Sequence, residues 1–126
     1  MTVAIVDTTV IVHLWRRYQP AIAWFSTRQV YSITTITWME AMAGGPNKRI
    51  QAKTRKLLIG FELVYLTQTD QDWAIQQIER LRFSHSIGIN DAMIASVAYR
   101  LQLPLYTHNL KDMVPLIDKL AIKPYA

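Results

Sequence analysis

Apolar positions along the chain alternate between short β-branched runs and longer stretches spaced at three and four residues, the signatures of buried strands and of amphipathic helices. Val3-Ala4-Ile5-Val6 is a clear run of the first kind, and Leu103-Pro-Leu-Tyr-Thr107 is a second. The pattern predicts strands over 2–6, 30–33, 63–66 and 104–107, with a last one around 121–123. It predicts helices over 9–18, 20–27, 34–43, 47–60, 69–82 and 90–102, with a short one near 112–119. Strands that alternate with helices imply an α/β fold whose mainly parallel sheet is covered on both faces. With 126 residues and no repeat, linker or low-complexity tract, the chain suits one compact domain over 1–126. Three stretches read as loops: 44–47, 83–90 and 107–109.

Four acidic residues lie in four separate segments, each beside an apolar stretch. Asp7 closes the first strand run, at the carboxyl edge where open α/β sheets bind ligands. Glu40 shares a partly apolar helix face with Ile36 and Ala43, where a carboxylate needs a basic partner, a proton or a metal. Asp91 lies on the stripe of Ile94, Ala95 and Ala98, and Asp112 follows the second strand run and its turn. Each also has a purely structural reading. Asp7 and Asp112 suit helix caps, Asp91 suits a first-turn acid facing the helix dipole, and Glu40 suits a pair with Lys or Arg. Gathered together, however, the four would repel one another, and a hard divalent cation is the usual relief. An all-oxygen donor set favours Mg²⁺ or Mn²⁺. Cysteine is absent and His13, His85 and His108 have no ligand spacing, which speaks against structural zinc.

Composition narrows the class of substrate. The formal charge is +5, from 14 Lys and Arg against 9 Asp and Glu. If four acids share one pocket, the remaining surface is more basic still and suits a polyanion. Lys48, Arg49, Lys53, Arg55 and Lys56 form a basic helix after the Gly44-Gly45 break and are the candidate contacts to such a polyanion, the alternative being a solvated face. His13-Leu-Trp-Arg-Arg-Tyr18 interleaves aromatic and basic residues, a composition that could stack bases and hold phosphate; the favoured reading is that Leu14 and Tyr18 pack with Arg16 and Arg17 solvated, or that the helix meets a partner protein. Trp15, Trp24, Trp38 and Trp73 suit core or partner interface. No phosphate loop or dinucleotide fingerprint is present, so a nucleotide cofactor is not expected. The apolar runs are too short for a bilayer and no signal peptide is evident, so the expected location is the cytoplasm.

With these residues in place, the chain resembles the PIN-domain family, and within it the small VapC-type ribonuclease toxins. The likeness covers nearly the whole chain: a strand ending in Asp7-Thr8, an acid before a small-residue break (Glu40 to Gly44), the stretch Asn90-Asp-Ala-Met-Ile-Ala-Ser-Val-Ala98, and Pro104-Leu-Tyr-Thr-His-Asn-Leu-Lys-Asp112. The resemblance implies a three-layer α/β/α sandwich with a central parallel sheet. It also implies a Mg²⁺- or Mn²⁺-dependent endoribonuclease in which Asp7, Glu40, Asp91 and Asp112 are catalytic metal ligands, supported by Thr8, Thr107 and Asn109. Further implied are a small antitoxin protein as partner and a homodimer. Two positions depart from the family pattern: His108 where relatives often carry Arg, expected to be a weaker phosphate contact, and Met113 where Phe is usual. A phosphatase-like reading of Val6-Asp7-Thr8-Thr9-Val10 fails because Thr9 occupies the place of the second acid. A non-catalytic RNA-binding or scaffold domain of the same fold is the other alternative.

Overall fold

The computed structural model describes residues 1–27 and 29–126. Its elements are β1 (Ala4–Val6), α1 (Thr8–Trp15), α2 (Gln19–Phe25), β2 (Tyr31–Thr34), α3 (Thr35–Ala43), α4 (Lys48–Leu58), β3 (Glu62–Val64), α5 (Gln68–Leu81), α6 (Ile89–Leu101), β4 (Leu105–Tyr106), α7 (Leu110–Ile117) and β5 (Ala121–Ile122). The strands form one parallel sheet in the order β3-β2-β1-β4-β5, with β1 at its centre. Every predicted strand and helix is present.

Alternation along β1 divides the core. Ile5 points to one face, where it packs with residues of α5, α6 and α7; Ala4 and Val6 point to the other, against α1, α2 and α4. All three are fully buried, which is why β1 reads as an unbroken apolar run rather than as an alternating one. Helix α3 joins the layers: Ile36 packs into the first cluster, while Trp38, Ala41 and Met42 pack into the second. The chain moves outward from β1 through β2 to β3, then crosses back to β4 on the other side of β1. The strand order therefore reverses between β1 and β4, and a crevice opens at their carboxyl ends.

Element ends differ from the sequence reading where caps lack their usual residue. Helix α1 stops at Trp15 rather than near Tyr18 because Arg17 is left-handed (φ 56°). Its amide donates to the Leu14 carbonyl and that of Tyr18 to the His13 carbonyl, a Schellman closure with Arg where Gly is usual. Gln102, at φ 52°, closes α6 in the same manner. Helix α7 starts at Leu110, so Asp112 lies inside its first turn and is not its cap.

A fifth acid is structural. Asp70 is buried in the capping box of α5, where one oxygen accepts the Thr67 amide at 2.9 Å and the other accepts Arg100 Nε of α6 at 2.8 Å. Removing it uncaps α5 and strands the guanidinium. Asp70→Ala is expected to cost about 3 kcal/mol in denaturant unfolding; a loss below about 0.5 kcal/mol would show that this pair does not hold α5 to α6.

Candidate metal centre

Asp7 lies directly after β1, with its amide bonded to the Tyr106 carbonyl of β4 at 2.9 Å, so backbone pairing alone fixes it beside the reversal of strand order. It occupies the N-cap position of α1, yet its carboxylate makes no side-chain cap. Oδ2 instead accepts the hydroxyls of Thr107 at 2.7 Å and Thr9 at 3.0 Å. Those hydroxyls in turn accept backbone amides from the turn after β4, Asn109 to Thr107 at 2.9 Å and His108 to Thr9 at 3.0 Å. Two short relays thus lock Asp7 to that turn and polarise the donors it sees.

The other three acids come from three helices. Glu40 of α3 is held at both oxygens: Thr8 Oγ1 donates to Oε1 at 2.7 Å and Asn90 Nδ2 to Oε2 at 3.2 Å. The Thr8 hydroxyl also lies 3.1 Å from that of the buried Thr37. Asp91, in the first turn of α6, and Asp112, in the first turn of α7, are bridged by Asn109, whose Nδ2 donates to Asp91 Oδ2 at 3.3 Å and Asp112 Oδ2 at 3.2 Å.

No cation offsets this charge from within. Arg100 with Asp70 is the one ion pair among the described residues, so the basic partner considered for Glu40 is not found there. Burial raises the Asp91 carboxyl from its ordinary 3.8 to about 6, with further upward pushes from Asp7, then Asp112, then Glu40. Burial likewise raises Asp7; the Thr107 and Thr9 hydroxyls and the Thr8 backbone offset part of that rise, and Glu40 adds to it. The four acids therefore share one electrostatic field.

The donor set fits a hydrated Mg²⁺ or Mn²⁺ ion. Among the described residues no three acidic or histidine side chains converge tightly enough to chelate an ion by themselves. Mg²⁺ commonly keeps several waters and uses one or two carboxylates, so such a looser set suits it better than it suits zinc. In their bonds to described side chains Asp7 and Asp91 each use only Oδ2, with the Thr8 backbone also bonded to the Asp7 carboxylate, whereas both oxygens of Glu40 are engaged by side chains.

The structure brings Thr8, Thr107 and Asn109 to the acids and adds two residues that sequence reading missed, Thr9 and Asn90. Both sit next to residues already singled out; Thr9 bonds Asp7 two positions away as well as the His108 amide 99 residues away, and the partner of Asn90 lies 50 residues away. His108 is not placed as an exposed phosphate contact. Its Nε2 is buried without a hydrogen-bond partner and its ring packs on His13 and Tyr125 at 4.6 and 4.5 Å between centroids. Burial, then His13 and Lys123, push its pKa down.

The five cations of α4 are set apart from the acids. Lys48, Arg49, Lys53, Arg55 and Lys56 are exposed, with Thr54 and Leu58 turned inward, and Arg55 lies 5.7 Å from the ring centroid of Trp38 on α3. A groove of about 300 Å³ runs between α1, α3 and α4 from Thr8 and Glu40 to Ile50 and Leu57, with Trp15 and Arg16 on its wall.

The raised Asp91 carboxyl gives a pH test. The folded state holds this proton more tightly than the unfolded chain, so the group stabilises the fold below about pH 4 and that contribution is lost as pH rises through about 6. Allowing for solvent screening at this half-buried group, the loss is about 1 kcal/mol. In metal-free protein Asp91→Asn is therefore expected to melt about 2–5 °C above the parent at pH 7.5 and level with it near pH 4. A gap of the same size at both pH values would contradict the shared field.

The profile of the PIN domain matches residues 4–111. Comparison with curated protein sequences gives no match. Among solved structures, a toxin–antitoxin complex from Klebsiella pneumoniae is similar over 97% of this chain and 98% of its own, at 24% identity and a TM-score of 0.81. DNA-bound VapBC from Salmonella typhimurium is similar over 94% of this chain and 95% of its own, at 22% identity and a TM-score of 0.79. VapBC2 from Rickettsia felis, bound to a promoter DNA fragment, is similar over 91% and 93%, at 18% and 0.77. The structural likeness establishes the PIN-like α/β/α fold with its central parallel sheet, and with the profile match over most of its length the chain belongs to the PIN-domain family.

Proposed function

We propose that the protein is a Mg²⁺- or Mn²⁺-dependent endoribonuclease that acts in the cytoplasm as the toxin of a toxin–antitoxin pair. The observation that carries this reading is the meeting of Asp7, Glu40, Asp91 and Asp112 at the reversal of strand order with no basic side chain among the described residues to neutralise them. Asp7 and Asp91 would mainly hold the ion, with Glu40 and Asp112 as further direct or water-mediated ligands. When bound, Mg²⁺ or Mn²⁺ offsets charge on the scissile phosphate and makes water a better nucleophile near neutral pH.

The chain's own groups do the positioning. Thr107 and Thr9 fix the orientation of Asp7, Asn109 sets the spacing of Asp91 and Asp112, and Thr8 with Asn90 clamps Glu40 from α1 and α6. Such outer contacts keep carboxylates from relaxing apart when the ion leaves. Lys48, Arg49, Lys53, Arg55 and Lys56 present a cationic face to the flanking RNA phosphates. Water attack in line with the leaving 3′ oxygen would give 5′-phosphate and 3′-hydroxyl ends.

Partners follow the same reading. The groove beside Glu40, apolar along Ile11 and Val12 with Arg16 at its edge, suits an amphipathic antitoxin segment. The similar complexes from Klebsiella pneumoniae and Salmonella typhimurium support a partner of that kind. Exposed Ile75 and Ile89, bordering an apolar hollow with Met93, support a second copy of the chain as a further partner.

The test is cleavage of structured and unstructured RNAs by partner-free protein in Mg²⁺, Mn²⁺ or EDTA. Asp7→Asn and Asp91→Asn are each expected to lower metal-dependent cleavage at least about 100-fold while the protein stays folded. Asn109→Ala should weaken Mn²⁺ binding about 10- to 100-fold. RNA binding with no cleavage under any metal would instead favour a non-catalytic RNA-binding or scaffold domain.

A further inference from the structure

We propose that the loop between α5 and α6, residues 82–88, is a stacking platform for an unpaired base of the RNA substrate, with Phe83 as the ring and Arg82 as the cation that backs it. The inference rests on the ribonuclease reading above and deepens it, by assigning the part of the surface that distinguishes single-stranded RNA from duplex.

Phe83 is 94% exposed, more than any other aromatic residue among the described ones, with Tyr65 next at 71%. A phenylalanine this exposed has no role in the core. Its loop neighbours are Arg82, Ser84, His85 and Ser86, and the segment 82–88 has no acid. The Arg82 guanidinium lies 5.5 Å from the ring centroid. One face of the ring is therefore backed by a cation, and the other is available for a flat partner.

An unpaired nucleotide brings both halves of the complementary chemistry. Its base offers a π face to Phe83, and its phosphate offers charge to Arg82. In the same loop, Arg82, His85 and Ser86 line a small hollow of about 150 Å³ with Ile78 and Ile87, and the Ser84 hydroxyl lies 2.9 Å from His85 Nδ1, which steadies the imidazole. The loop then leads into the acids. It ends at Gly88, the N-cap of α6, and Gly88, Asn90 and Asp91 line an open concavity of about 370 Å³ together with Glu40. A base held at Phe83 belongs to a strand whose backbone can continue along this loop to the metal centre.

Binding of labelled single-stranded RNA to the full chain in EDTA, where no cleavage competes, separates this contact from catalysis. Phe83→Ala is expected to weaken binding roughly 5- to 100-fold and Phe83→Trp to restore it, with the salt dependence unchanged because no charge is lost. Arg82→Gln should instead reduce the salt slope by about 0.7. Blunt duplex RNA should bind Phe83→Ala as it binds the parent. Since the ring is exposed, the melting temperature of Phe83→Ala should equal that of the parent. Parent-like binding by Phe83→Ala, an equal loss on duplex, or failure of Phe83→Trp to restore it overturns the platform, and would assign the ring to a protein contact. Those results leave the ribonuclease reading intact if the parent binds RNA; a parent that neither binds nor cleaves RNA overturns both.

Discussion

Repulsion among carboxylates at the end of the central strand governs this molecule. Asp7 is almost fully buried, and Asp91 is held near pH 6 by burial and by its three acidic neighbours. Such a cluster costs folding free energy unless protons or a cation are taken up. The rest of the site bears that cost by giving each acid a neutral donor: hydroxyls for Asp7, a hydroxyl and an amide for Glu40, and a shared amide for Asp91 and Asp112. Neutral donors orient the carboxylates without discharging them. An Arg or Lys in their place would stabilise the fold and remove the reason to bind a divalent ion.

The fold supplies the positions for reasons that have little to do with the acids. Parallel strands require crossovers, and β1 must be buried on both faces to anchor them, so the chain leaves β1 at the carboxyl edge and the strand order reverses between β1 and β4. The termini of α1, α6 and α7 gather at that edge. First-turn acids such as Asp91 and Asp112 are favoured there by the helix dipole, which offsets part of their repulsion. A position good for helix stability thus coincides with one that brings carboxylates together.

That coincidence explains what could be read from the sequence. β1 and Asp7 were legible because a fully buried strand leaves an unbroken apolar run with an abrupt polar end, and Glu40 because a carboxylate on an apolar helix face demands an explanation. The end of α1 was not, since Arg17 adopts a left-handed cap without the glycine that normally marks one. Asn90 gains its role only through a contact across the fold, and Thr9 joins its local bond to Asp7 with a distant one to the His108 amide. His108, read beside Thr107 and Asn109 as a contact to phosphate, turns its ring the other way, onto His13 and Tyr125. Sequence neighbours on a tight turn can serve opposite sides of it.

The most direct measurement is anomalous diffraction from crystals of the full chain soaked in Mn²⁺, compared with crystals of Asp91→Asn soaked in the same way. A manganese peak between Asp7 and Asp91 that disappears in the variant would place the ion where the shared field requires it. No peak at that edge, or one that survives the substitution unchanged, would show that the four carboxylates are held together for some purpose other than binding a metal.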